Sequence, residues 1–172
     1  MNAFAMRKFF CYLFLAMGLW QSGCLPYEDE RLMDVTVDLK DPVFQQIHDY
    51  QDRQQMDSLY QFFNHENATY RYLSAVAFGS IRQPEAINQL VTLLSDEVPE
   101  VRAGTAYALG QIGDAAAEEY LIDAFDQTDT AGVYKKAHRA ILEAIGKCGK
   151  PETLELLGTI STYEPTDTAL LE

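Results

Sequence analysis

The 172-residue sequence predicts an all-α chain: a short right-handed α-solenoid of three to four helix pairs. Three observations carry this. Landmarks recur 31 residues apart, pairing Arg71 with Arg102, Ala75 with Ala106, Phe78 with Leu109 and Gly79 with Gly110. Apolar residues in these segments follow helical spacing and not the strict alternation of strands. Small residues crowd the stretch VRAGTAYALGQIG over 101–113, where a helix filling a core would use bulk. A glycine inside a helix costs about 0.5–1 kcal/mol relative to alanine, so something must need that surface to be smooth. A fixed period of helix pairs supplies the reason, because each unit of a stack buries its apolar face against its neighbour.

Residues 1–23 read as a targeting segment, outside the fold. Arg7-Lys8 form a positive start, and Phe9 to Trp20 carry no charge but are too short for an ordinary membrane-spanning helix. Ser22-Gly23-Cys24 then resembles the lipobox of bacterial lipoproteins. That resemblance implies a lipid anchor on Cys24 and attachment to the outer membrane of a Gram-negative bacterium, facing the periplasm or the cell surface. A plain secretory peptide cleaved near the same place is the alternative. Loss of residues 1–23 removes Arg7 and Lys8 but no acid, deepening the net charge from −13 to −15. Such acidity, without a basic stripe, excludes nucleic acid as a partner. Cys148 would then be the one unmodified cysteine, so no internal disulfide is expected.

Residues 24–40 read as an acidic tether, with Glu28-Asp29-Glu30 at its centre. The repeat domain is expected over 41–172. Asp41-Pro42 places an N-cap before a proline at the first helical position, and Phe44 and Ile47 continue one face. Leu59, Phe62 and Phe63 mark a second helix. The repeats are bounded at about 55–83, 84–114 and 115–150, with a partial unit at 151–172. The third unit is longer, since Gly110 to Gly146 and Gly113 to Gly149 are both 36 residues.

The 31-residue unit, its acidic turn Ser95-Asp96-Glu97, and Val101-Arg102 before Ala106-Tyr107-Ala108-Leu109-Gly110 resemble short HEAT-like repeats of the phycobiliprotein-lyase type. Gly79, Gly110 and Gly146 are then structural positions on the second helix of each pair, where small residues let neighbouring helices approach. Gly113 and Gly149 are expected to end their helices in left-handed caps. The resemblance implies that Arg71 and Arg102 bond an acid or turn carbonyl of a neighbouring repeat. His138 occupies the matching position in the third unit.

No catalytic constellation, metal set or cofactor motif stands out. His65-Glu66 is a single pair in a turn, whereas a metal centre needs several converging ligands. A lone Cys148 on a helix of small residues reads as a buried thiol. Tyr70, Tyr72 and Tyr107 are the candidate partner-binding residues, because Tyr beside Arg is favoured in protein interfaces. The function expected is that of a monomeric, non-enzymatic scaffold that binds a protein partner and is held at the membrane by its lipid.

An alternative follows from a second resemblance. Asp52-Arg53, Tyr70-Arg71-Tyr72 and Gly146-Lys147-Cys148-Gly149 are similar to the front of bacterial HEAT-repeat lipoproteins that are peptidyl-prolyl isomerases. This implies a substrate-presenting part of an isomerase whose cyclophilin-type domain lies outside these 172 residues. Pro165 to Glu172 reads as a helix that begins and stops after about two turns.

Overall fold

The computed structural model describes residues 34–125, 134–153 and 158. Among them are seven α-helices, joined by turns and short 3₁₀ segments, and no strand. The helices are α1 (Pro42–Asp52), α2 (Met56–Tyr60), α3 (Ala68–Ile81), α4 (Ile87–Leu90), α5 (Pro99–Ile112), α6 (Glu118–Phe125) and α7 (Lys135–Cys148). The architecture is the expected α-solenoid.

α1 begins as its sequence dictates. The Asp41 carboxylate accepts the Val43 N–H at 2.7 Å, and Pro42 occupies the first turn. Ile47 is buried, and α1 packs on α3. The first helices of the pairs are shorter than the sequence suggests. α2 has five residues, after which the chain leaves through turns that still bury Phe63. In the second pair, Pro84–Ala86 and Val91–Ser95 are 3₁₀ turns flanking the four residues of α4. Together they point Ala86, Ile87, Leu90, Leu93 and Leu94 inward.

The second helices α3, α5 and α7 have 14 residues each and form the row that organises the molecule. α5 lies between the other two and packs extensively on both. Its burial is therefore nearly all round, taking in Val101, Gly104, Thr105, Ala106, Ala108, Leu109 and Gly110. α7 keeps an amphipathic stripe, with Ala137, His138, Ile141, Ala144, Ile145 and Cys148 buried at helical spacing.

Several expectations need correction. The tether does not run free to residue 40: Val35 packs on the core, and Thr36 N–H donates to Thr69 Oγ1 at 3.0 Å. Gly149 is not left-handed but extended, with φ −74° and ψ 158°. Its smallness serves close approach instead, since a β-carbon there would lie 2.5 Å from the Ile145 carbonyl oxygen. Gly113 does take the left-handed cap at φ 70°, but the matching end of α3 is capped by Arg82 at φ 56°. Gly146 is exposed, and a β-carbon there would meet nothing within 4 Å, so it is no packing position. The signal segment, Cys24 and nearly all of the partial repeat at 151–172 lie outside the described residues.

Candidate functional site

Two arginines set the spacing of the row. Arg71 is buried at the start of α3, where it donates to the carbonyls of His65 and Glu66 at 2.8 and 3.0 Å. Its other nitrogens grip Asp96, in the turn of the next repeat, at 2.8 and 2.9 Å. Asp96 also accepts the Val98 N–H at 2.9 Å, and its carbonyl accepts from Arg102. One turn is thus held by arginines of two successive second helices. Arg102 stacks its guanidinium 4.1 Å from the centre of the Tyr134 ring. His138 is buried on α7 with its ring 5.0 Å from that of Phe125.

The three tyrosines part company. Tyr70 donates its hydroxyl to Asp41 at 2.7 Å and sets its ring edge-on to His65. This hydrogen bond is the main cause holding the Asp41 carboxyl below, and the Tyr70 phenol above, their ordinary ranges. Tyr70 therefore fastens the start of the first helix to α3, the second helix of the first repeat. Tyr72 and Tyr107 instead reach across between α3 and α5. Tyr72 of α3 lies over Gly104 of α5, where a β-carbon would sit 2.8 Å from its ring. Tyr107 of α5 lies over Gly79 of α3, again 2.8 Å from where a β-carbon would be. Each glycine admits the other helix's ring. This reciprocal arrangement is the physical reason for two of the glycines.

These rings form part of a groove of about 530 Å³, with Val35, Val37, Val76 and Ala103 as its apolar wall and Glu100 and Lys136 at its rim. Glu100 and Lys136 are 3.6 Å apart and solvated. Tyr107 is 47% exposed, as is Val37, so this groove carries two of the four large exposed apolar side chains among the described residues. Sequence reasoning named Tyr72 and Tyr107 but missed Gly104, Val35 and Val37. The Val35-Thr36-Val37 alternation was a strand-like signal, hidden inside an apparent tether.

The remaining candidates have local roles. His65 Nδ1 accepts the Asn67 N–H at 3.0 Å, ordering the turn before α3. No group of three potential ligands suited to a metal occurs among the described residues. The Cys148 sulfur lies 3.4 Å from the Leu109 carbonyl, and burial pushes its thiol pKa up. Glu118, at the start of α6, accepts from the Thr153 hydroxyl and from Lys150 N–H at 2.8 Å. Those hydrogen bonds hold its carboxyl below the usual range and tie the end of the third pair to its beginning.

No curated protein and no solved structure matches the chain. The family pattern described as HEAT repeats does match, over residues 56–141, from the start of α2 to the middle of α7. That span is half of the sequence and contains Arg71, Asp96, Arg102 and both tyrosine-on-glycine contacts. The chain belongs to the HEAT-repeat family.

Proposed function

We propose that this chain is a protein-binding scaffold with no catalytic site of its own, acting as a monomer lipid-anchored through Cys24. The observation that carries the reading is the groove between α3 and α5, where Tyr72 and the exposed Tyr107 are seated on glycines of the opposing helix. Aromatic side chains held in place before binding lose little freedom when a partner arrives, which favours them as anchors. Membership of the HEAT-repeat family supports a scaffold role, and the net charge of −13 favours basic or unfolded clients. The anchor rests on the sequence Ser22-Gly23-Cys24, and so does placement at the outer membrane of a Gram-negative bacterium, facing periplasm or cell surface.

A photo-crosslinking residue placed at Tyr107 in living cells tests the scaffold reading, with Asn88, exposed on α4, as the control site. The expected result is a discrete set of adducts from position 107 that position 88 does not give. Adducts that are absent, or the same at both sites, defeat it. Intact mass of the protein extracted from membranes tests the anchor: residues 24–172 plus diacylglyceryl and acyl chains are expected.

A second reading makes the same groove part of the substrate-presenting front of a peptidyl-prolyl isomerase whose cyclophilin-type domain lies outside these 172 residues. It is favoured by the motifs Tyr70-Arg71-Tyr72 and Gly146-Lys147-Cys148-Gly149. A native mass well above that of lipidated residues 24–172 would move the protein to that class.

A further inference from the structure

After a bend at Asp34, residues 35–37 cross the surface as a strap, neither helix nor turn, that meets α3 along one edge. Thr36 N–H donates to Thr69 Oγ1 at 3.0 Å, and the Thr69 hydroxyl donates to the Asp34 carbonyl at 3.1 Å. Thr69 is buried, so this edge is fixed. The carbonyl of residue 34 and the N–H of residue 36 point to one side, which is the alternation of a β-strand. In such a strand the N–H and C=O of residues 35 and 37 face the opposite side. No described residue hydrogen-bonds to the N–H or C=O of Val35 or Val37. The side chains of the same two valines form a wall of the groove beside Tyr72 and Tyr107. The strap ends in a turn, with Asp41 N–H bonded to the Asp38 carbonyl at 3.1 Å, and leads directly into α1.

An unpaired strand edge is a template for another extended chain. Where such an edge adjoins an apolar groove, main-chain hydrogen bonds supply affinity and alternate side chains supply selectivity. We propose that the groove takes an extended segment of a client protein, which adds as a strand to the free edge at Val35 and Val37. Alternate apolar side chains of the client then lie against Tyr72, Val76 and Tyr107. The side chains between them face the solvent, near the exposed Asp34 and Asp38 that flank the two valines and Glu100 at the rim, acids that outnumber the Lys136 paired with Glu100. With a chain charge of −13, these favour lysine or arginine. The preferred client is therefore an unfolded stretch alternating apolar and basic residues. This inference rests on the scaffold reading and makes it specific.

The test uses the full chain and a fluorescein-labelled peptide of alternating valine and lysine, followed by fluorescence anisotropy. Two further peptides are N-methylated on every second residue, in opposite phases. Strand addition predicts that one phase binds about tenfold more weakly and the other binds like the parent, since only one set of N–H groups faces the strap. Val37→Pro removes one N–H of the edge and keeps the preceding residue extended, so about a tenfold loss is expected with unchanged helical circular dichroism. Tyr107→Ala is expected to weaken binding similarly by removing the aromatic surface. Equal binding of both methylated phases, or an unaffected Val37→Pro variant, overturns strand addition. Failure of the parent peptide to bind overturns it as well. In either case the scaffold reading still stands or falls on the crosslink at position 107.

Discussion

Arg71 and Asp96 form a two-point ion pair, at 2.8 and 2.9 Å, with side chains only 7% and 6% exposed. The pair joins the second helix of one repeat to the turn of the next. Removing one member leaves the other buried and uncompensated, so Asp96→Ala should destabilise the fold by about 3–5 kcal/mol. Arg71 also reaches Glu97 at 3.4 Å, but that carboxylate is 64% exposed. Glu97→Ala should therefore cost no more than about 0.5 kcal/mol. Urea unfolding of the two variants measures the contrast.

Acid should weaken the fold through Asp41. Its carboxyl is held low chiefly by the Tyr70 hydroxyl, so its contribution is present above the unfolded carboxylate range and disappears as pH falls through the folded value. The Tyr70 phenol is held high, chiefly by the same hydrogen bond, so its contribution is present below the ordinary phenol range and is lost as pH rises through the folded value. Thermal melts should show a smaller acid-induced loss for Asp41→Asn than for the parent. At alkaline pH, Tyr70→Phe should show the smaller loss.

Two glycines of the row should respond oppositely. A β-carbon on Gly110 would lie 3.0 Å from the Ala144 α-carbon, which is backbone and cannot turn aside. Gly110→Ala should destabilise by about 1–3 kcal/mol through overpacking. Gly146 stands in α7 with open space around it, so Gly146→Ala should stabilise by about 0.5 kcal/mol through helix propensity. Shifts in denaturation midpoint report both signs.

Left-handed backbone at a residue with a side chain offers a further test. Gln54 has φ 53° and is exposed, while Arg82 has φ 56° and bonds the Gly79 carbonyl and Gln111 at 3.2 and 3.1 Å. Gln54→Gly should raise stability by about 0.5–1 kcal/mol. Arg82→Gly should gain less, because relief of the backbone is offset by lost hydrogen bonds. Melting temperatures of the two variants order them.

Much of the framework was legible because it is local or periodic. Asp41-Pro42 announces α1 through groups two residues apart, and the Arg71–Arg102 spacing announces the repeat. The tyrosines were harder. Tyr70, Tyr72 and Tyr107 look alike in a sequence, yet one is bonded to Asp41, one covers Gly104 and one lies exposed over Gly79. Gly146 and Gly149 misled because they match Gly110 and Gly113 at the end of a second helix while their surroundings differ. The third pair is five residues longer and ends against Glu118.

By itself the sequence determined the helical class, the repeat and the arginines on which the stack is spaced, since helix starts and a fixed period depend on neighbours along the chain. Only the tertiary structure decided which glycines are indispensable, which tyrosine is free, and that residues 35–37 form a strap beside a groove. Each of those depends on an atom from another repeat. Gly104 matters because Tyr72 lies 32 residues earlier on the facing helix, and the strap holds because Thr69 is buried 33 residues beyond Thr36. Spacing sets which helices are neighbours, but close packing sets which atoms meet.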